Sequence, residues 1–534
     1  MAKKAATKAK EKTLNLESIL MNCRDNLRGS ASLNDKRDIM LTLVFLRFIG
    51  EKFEDAMNAN LAKIAEEGMD INDPAIVAAF IEPSSFVGAT YLEETSRWSY
   101  LLGKKATELN AALDDAIRSI NNISTLKGSV EEGLFTRVNL EPSVIKGVVD
   151  EINKISHKAF GTERDLIGRV YEYFLHSFAI KATKEDGEFY TPHDIVELIA
   201  AFIEPYDGTL YDPCCGSGGM FIQCAKYVEE KQGDINMINV YGQESEPATY
   251  RLAKMNLGVR GLSNHLGETN ASTFTNDQHK GKWFNYIMAN PPFNLKKWND
   301  DGKLDNDPRW SDYSTPPASN ANYAWILHIL SKMEATKGIA GFLLANGALG
   351  DDDTASIRQK LIENDKIEAI VVLPRELFYT TDISVTLWIL NNNKKGGNWH
   401  GRKQRNREKE ILFMDLRQWT ENSVSGEQKK KVKFDSDQVA KAVEIYQKWQ
   451  ADGTDGKTYA EPELFKSVDI AEIEQQGWSL VPSRYIEFVD RDSNIDYNAV
   501  LTESAKVVSD LLKRQEQNQT ALRNAFNTLG YECK

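Results

Sequence analysis

The segment Asn290-Pro291-Pro292-Phe293 carries the residue types that point most directly to chemistry. The Asn290 side-chain oxygen is an acceptor, and the Pro291 carbonyl is a second one whose position is held by the locked proline backbone. Two such acceptors suit a planar exocyclic amine. The lone pair of that amine is delocalised into its ring, so the nitrogen is a poor nucleophile until hydrogen bonds to its N–H groups pull it towards tetrahedral geometry. Positive charge developing on the nitrogen strengthens both bonds in the transition state, which is the condition for catalysis by differential binding. Phe293 adds a face on which a base can stack, worth about 1–3 kcal/mol and comparable with the few kcal/mol needed to extrude a base from duplex. On residue types alone the same four residues also describe a Pro-Pro turn closing a strand. The device would serve adenine, cytosine or an amide alike.

The elements around the tetrapeptide narrow the choice. Tyr286-Ile287-Met288-Ala289 is a short apolar run stopped by prolines and reads as a buried strand, so the tetrapeptide sits at a strand's carboxyl end, where open α/β sheets bind ligands. Upstream, Leu210 to Ile222 reads as strand, glycine-rich turn and helix. Its turn, Asp212-Pro213-Cys214-Cys215-Gly216-Ser217-Gly218-Gly219, lets backbone approach a ligand closely. Val240 to Glu244 is a second strand ending in a carboxylate 28 residues past Gly216, placed to hold ribose hydroxyls, and a helix continues over Arg251 to Gly258. A nicotinamide enzyme uses similar parts. Its G-x-G-x-x-G spacing is missing, however, because Phe221 stands at the last position, and Asn-Pro-Pro-Phe has no role in hydride transfer. A nucleoside cofactor that donates a methyl group accounts for both motifs.

Taken in order, Gly187-Glu188-Phe189-Tyr190-Thr191-Pro192-His193, the Asp-Pro-Cys-Cys-Gly-Ser-Gly-Gly turn, Glu244 and Asn-Pro-Pro-Phe resemble the modification (M, HsdM) subunit of type I restriction-modification systems. The resemblance takes in Arg169 to Phe178 and Trp478 to Tyr485, and covers nearly all of the chain after Leu14. It implies an adenine-N6-specific DNA methyltransferase that uses S-adenosylmethionine and works in the cytoplasm. It also implies roles by position. Glu188, Phe189, Tyr190, Thr191, Pro192 and His193 would meet the methionine end of the cofactor. Asp212, Gly216, Ser217, Gly218 and Gly219 would line its turn, Glu244 would hold the ribose, and Asn290, Pro291, Pro292 and Phe293 would be catalytic. Where related chains often carry an acid near the cofactor's adenine, this one reads Glu268-Thr269-Asn270-Ala271-Ser272-Thr273-Phe274, which leaves open whether Asn270, Ser272 or a backbone group lies there. The implied partners are a specificity (S) subunit, a second copy of M in an M2S1 assembly, restriction (R) subunits and double-stranded DNA. The alternative is a solitary DNA or protein-amide N-methyltransferase, since glutamine presents the same planar NH2.

Composition is consistent with the resemblance's implication that the specificity subunit brings the DNA to this chain. With 65 basic and 78 acidic residues the net charge is −13, whereas a chain that grips duplex unaided normally shows a basic surface. No apolar run approaches the roughly 18 residues a membrane helix requires. Five cysteines without repeated C-x-x-C spacing, and seven scattered histidines, suggest neither disulfide nor zinc. The adjacent Cys214 and Cys215 are read as small packing residues beside a tight turn. Two basic stretches, Lys394 to Lys409 and Lys429 to Lys433, either touch phosphates or are solvated. For the first, a hairpin loop between strands Thr386–Leu390 and Ile411–Met414 is the alternative.

The expected architecture is a doubly wound, Rossmann-like α/β methyltransferase domain with an all-helical amino-terminal domain and a helical carboxyl tail. Residues 1–13 form a disordered basic tail, 14–157 the helical domain, 158–480 the methyltransferase domain and 481–534 a helical segment for subunit interaction. Helical periodicity places Ile39, Leu43, Leu46 and Phe53 on one side of a segment opened by Asn34-Asp35. Strands are expected at Thr209–Tyr211, Val240–Gly242, Tyr286–Ala289, Gly341–Leu344, Ala369–Leu373 and Val385–Leu390, and a helix at Asn322–Met333. Asn299 to Pro317 reads either as a loop that orders on DNA or as an ordinary surface excursion. Near the carboxyl end, Val500, Ala505, Val508, Leu511 and Leu512 form an apolar stripe on a long helix that either folds back or docks on the specificity subunit.

Overall fold

The structure, a computed structural model, describes residues 16–156, 191–489 and 497–528, apart from short breaks at 87–88, 232, 235–236, 259, 261, 263–264, 379–382, 422 and 426–429. The basic tail Met1 to Lys12, the segment Arg169 to Phe178, and Glu188, Phe189 and Tyr190 lie outside the described residues.

Among the described residues the amino-terminal region is helical. Its longest helix, Leu33–Glu66, starts where the Ser32 side chain accepts the Asp35 N–H at 3.2 Å, one residue before the expected opening. Ile39, Leu43, Leu46 and Phe53 are buried along it, as their spacing requires, in one core with Leu113 and Ile117 of helix Leu109–Asn121 and Ile145 and Val149 of helix Pro142–Ile152. The bundle core also takes in Leu252 and Met255 from helix Pro247–Gly258 of the α/β region. That contact is close: a Cβ at Gly258 would stand 2.3 Å from Leu126. Arg251 spans the same boundary, with Nη2 3.2 Å from the Glu131 carboxylate.

The second region is built on a sheet. Its strands in chain order are β1 (Gly208–Asp212), β2 (Ile238–Gly242), β3 (Tyr286–Ala289), β4 (Ile339–Ala345), β5 (Ile367–Val372) and β6 (Val385–Asn391). A small hairpin follows, β7 (Gly397–Trp399) with β8 (Arg402–Gln404). Then come β9 (Glu410–Asp415), a second hairpin of β10 (Ser423–Ser425) and β11 (Lys430–Val432), and β12 (Ala460–Glu461) with β13 (Phe465–Asp469). Nine strands lie in the order β12-β13-β9-β5-β6-β4-β3-β1-β2. Neighbours β2, β1, β3 and β4 are parallel, while β6 runs antiparallel between β4 and β5. Central strands β3 to β6 are buried on both faces, which explains their continuous apolar runs. Successive residues feed opposite layers: Met288 and Leu343 pack with Ile195 and Ile199 of helix His193–Ile203, whereas Ile287 and Phe342 pack with Ile326 and Ile329 of helix Asn322–Lys332. From β1 the chain moves to β2 at one edge and then returns to β3 on the other side of β1. The crevice at the carboxyl ends of β1 and β3 is therefore the sheet's switch point.

Three expectations resolve here. Strands β6 and β9 are separated by β5, so Lys394 to Lys409 is a crossover with its own hairpin, not a hairpin loop between them. Most of its cations point inward or pair locally: Lys394 with Asp365, Arg402 with Glu204, Lys403 with Asp452 at 2.6 Å, Arg405 with Glu410 at 2.7 Å, and Arg407 with Glu368 at 3.1 Å, both members of the last pair fully buried. The Asn299 to Pro317 loop is folded on the chain itself, with Trp298 and Trp310 buried and their ring N–H groups donated to the carbonyls of Pro317 and Leu304. Helix Tyr497–Thr528 does not fold back: Val508, Leu511, Leu512 and Leu522 are each more than half exposed.

Candidate active site

The site assembles from three strand ends. β1 ends in the buried Asp212, whose Oδ1 accepts the Cys214 N–H at 2.9 Å and so starts the turn. Gly216 (φ +54°) and Gly218 (φ +76°) take left-handed backbone there, and helix Gly219–Glu230 follows. β2 ends at Gly242, where a Cβ would meet Leu266 at 2.8 Å and Cys215 and Phe221 at 3.1 Å, so only glycine lets the turn close against it. The two ends are laced by backbone bonds, Gln243 N–H to Asp212 O at 3.1 Å and Cys215 N–H to Gln243 O at 3.0 Å. Glu244 then reaches the turn, its Oε2 accepting the Gly216 N–H at 3.0 Å. Asp212, Gly216, Ser217, Gly218, Gly219 and Glu244 thus form one continuous wall.

β3 delivers the tetrapeptide to the neighbouring strand end. Pro291 is buried, and Phe293 packs edge-on to Phe378 with ring centres 5.9 Å apart. Asn290 donates its Nδ2 to Thr191 Oγ1 at 2.9 Å, while its buried Oδ1 has no hydrogen-bond partner among the described residues. That is the acceptor an exocyclic amine requires. Thr191 and Pro192 are buried at the start of helix His193–Ile203, so the Thr-Pro-His element and the tetrapeptide, about a hundred residues apart in sequence, meet here. His193 turns to the flank, its ring 3.3 Å from Lys226 and 3.8 Å from Glu197.

Burial sets the electrostatics of this crevice. It pushes the Asp212 carboxyl up to about 7, and the nearby Glu244 charge acts in the same direction, partly offset by hydrogen bonds from Cys214. Burial also holds the Cys214 and Cys215 thiols well above their ordinary value, so both remain protonated and unreactive, as packing residues should. Burial lowers the His279 pKa below its ordinary value, and the ring donates Nε2–H to Gly242 O at 2.8 Å.

Sequence reasoning missed the residues that support the wall. Gln243 is fully buried. It donates Nε2 to the carbonyls of Ala271 and Asn276, at 3.1 and 2.7 Å, and accepts the Gln278 N–H at 3.1 Å. It thereby fixes the Thr269 to Gln278 loop, in which Asn270 donates to the Ser245 carbonyl at 2.8 Å and Thr273 donates to that of Pro213. Arg309, from the folded Asn299 to Pro317 loop, donates to the carbonyls of Thr273 and Phe274 at 3.0 and 2.6 Å and ties the loop after β3 to the loop before it. Asn294, at φ +54°, is clamped by Asn322, which accepts its N–H at 3.1 Å and donates to its Oδ1 at 2.9 Å. The available signal was Asn320-Ala321-Asn322, short polar side chains at a helix start, where they hydrogen-bond backbone.

Known proteins supply an independent comparison. Residues 162–493 match the family model of N-6 DNA methylases, and residues 16–152 match that of the HsdM N-terminal domain. The chain is 36% identical over 375 residues to the HindI type I restriction enzyme methylase subunit of Haemophilus influenzae, covering 69% of this chain and 79% of that one. It is 29% identical to the MjaIX methylase subunit of Methanocaldococcus jannaschii, over 98% of this chain and 92% of that one. Among solved structures, the methyltransferase subunit of a type I restriction-modification system from Streptococcus thermophilus shares the fold, with a TM-score of 0.67, 22% identity, and coverage of 88% of this chain and 99% of that one.

Proposed function

The chain belongs to the N-6 DNA methylase family as a type I methylase subunit, and from that premise we propose how it works: it methylates N6 of an adenine turned out of duplex DNA, at a site chosen by a separate specificity subunit, with S-adenosylmethionine as donor. The observation that carries this reading is the buried, unpartnered Oδ1 of Asn290 at the switch-point crevice. A buried acceptor left unpaired costs about 1–3 kcal/mol, so the fold holds it in place for an incoming donor.

The crevice wall fits the methyl donor. Gly216 has open space where a Cβ would stand, and Glu244 faces the same turn, which gives a nucleoside a backbone floor and a carboxylate for its ribose hydroxyls. The segment ending in Thr191-Pro192-His193 would bound the methionine end. When bound, S-adenosylmethionine supplies a methyl group already activated on sulfur. The protein's task is then to orient the acceptor: Asn290 Oδ1 and the Pro291 carbonyl take the two N6 protons into hydrogen bonds, and Phe293 stacks on the ring. Alignment of the two reactants supplies much of the acceleration, and no titrating side chain need act as base before the nitrogen attacks.

The same reading assigns the exposed Val508, Leu511 and Leu512 stripe of helix Tyr497–Thr528 to the specificity subunit, in an assembly with two copies of this chain. The test of the chemistry is Asn290→Ala. Transfer of labelled methyl to DNA should fall about 10²–10³-fold, the usual effect of removing one aligned transition-state partner, while equilibrium binding of S-adenosylmethionine stays within threefold. Undiminished DNA methylation by this variant would overturn the proposal.

A further inference from the structure

We infer that Thr191 is a positioning residue for methyl transfer, whose hydroxyl accepts the Asn290 NH2 in the one orientation that turns Oδ1 to the target amine. The inference rests on the function proposed above and adds to it a residue that does not touch the amine.

The two ends of an asparagine amide have nearly the same shape and opposite chemistry. A half-turn of the amide exchanges an acceptor for a pair of donors. An exocyclic amine presents donors, so only the orientation with Oδ1 inward lets Asn290 act. With NH2 inward, donors would oppose donors and the amine would lose one of the two bonds that reshape it. The protein must therefore favour one of two states that packing alone hardly distinguishes.

In the structure one bond meets the outer end of the amide. Nδ2 lies 2.9 Å from Thr191 Oγ1, and Oδ1 is left free and buried. Thr191 is itself buried and is held by its surroundings: Pro192 follows with φ −56° and caps helix His193–Ile203, and the N–H groups of Ile195 and Val196 both reach the Pro192 carbonyl at 3.1 Å. The backbone that carries the hydroxyl is thus anchored on its carboxyl side.

A hydroxyl can donate as well as accept, so in the empty site Thr191 tolerates either orientation of the amide. The amine breaks the tie. With the amine in place, only the inward-Oδ1 orientation satisfies both ends of Asn290 at once, Nδ2 on Thr191 and Oδ1 on the amine. Without the hydroxyl, that same productive orientation leaves a buried NH2 with no acceptor. The penalty falls on the state that reacts.

The experiment compares Thr191→Val, which keeps the shape and deletes the hydroxyl, with Thr191→Ser, which keeps the hydroxyl, each assembled into the complete methyltransferase with Asn290→Ala alongside. Assayed at saturating S-adenosylmethionine, the Val variant should lose 10- to 100-fold in kcat, a larger factor than any it loses in cofactor affinity, and the Ser variant should return to within threefold of wild-type kcat. The inference fails if the Val variant turns over within threefold of wild type, if the Ser variant is as slow as the Val variant, or if the Val variant loses cofactor affinity by the factor it loses in turnover. The last outcome would make Thr191 a cofactor ligand. If Asn290→Ala still methylates DNA, the underlying function fails instead. If Asn290→Ala is inactive and Thr191→Val is not, only the role of Thr191 falls.

Discussion

The chemistry of the site turns on single polar atoms held where ordinary folding would not leave them. Asp212 is the clearest case after Asn290. It is buried at the end of β1, and its carboxyl is pushed up to about 7, chiefly by loss of water. The direction has a consequence for stability. The native protein binds the proton more tightly than the unfolded chain, so the contribution is fully present below the ordinary carboxylate value near 4 and is lost as pH rises through about 7. The melting temperature of the isolated protein should therefore fall between pH 5 and pH 8 by more than that of Asp212→Asn. The variant keeps the Oδ1 acceptor for the Cys214 N–H and removes the charge. Equal slopes in the two proteins, followed by calorimetry across that range, would show that Asp212 is not held protonated. Asp212, the glycines and Asn290 were legible in the sequence because their types are unusual for their positions. The partnership between Thr191 and Asn290 was not, because nothing in a linear pattern joins residues that meet only through tertiary folding.

Elements were legible where periodicity is strong. All six expected strands appear within two residues of the expected ends, because apolar runs of four to seven residues bounded by turns have few other uses in an α/β chain. Order in the sheet was less accessible: insertion of the antiparallel β6 between β4 and β5 is a matter of pairing, which composition does not encode. The basic crossover Lys394 to Lys409 shows the same limit. As sequence it suited phosphates or solvent equally. In the fold, Glu368 accepts from Arg407 at 3.1 Å, Tyr446 at 3.1 Å and Gln450 at 2.8 Å, all buried, so the guanidinium belongs to the interior. Arg407→Met should destabilise the protein by about 3–5 kcal/mol in denaturant unfolding, since it strands a buried carboxylate. It should leave the salt dependence of DNA binding by the assembled enzyme unchanged. A shallower salt slope without a loss of stability would place Arg407 on the DNA after all.

At the scale of the whole molecule, the helical region and the α/β region share a core through Leu252 and Met255, on the helix that follows Glu244. The carboxyl helix stands apart from both. Removing the chain from Asn498 onward should leave the melting temperature and S-adenosylmethionine binding unchanged and abolish copurification with the specificity subunit; full recovery of the complex would assign the contact elsewhere. The net charge of −13 agrees with a chain to which DNA must be brought, the more so because the Lys394 to Arg407 cations are largely engaged within the fold. Helix Tyr497–Thr528 has a further consequence. A 32-residue helix with its apolar side chains in water gains little from packing, and propensity alone holds such a helix only marginally. In a newly made, solitary chain this segment will breathe between helix and coil and offer itself to proteases first. On the assembly proposed above, a copy docked on its partner would be protected along this segment and a solitary copy would not, a difference that limited proteolysis reads directly.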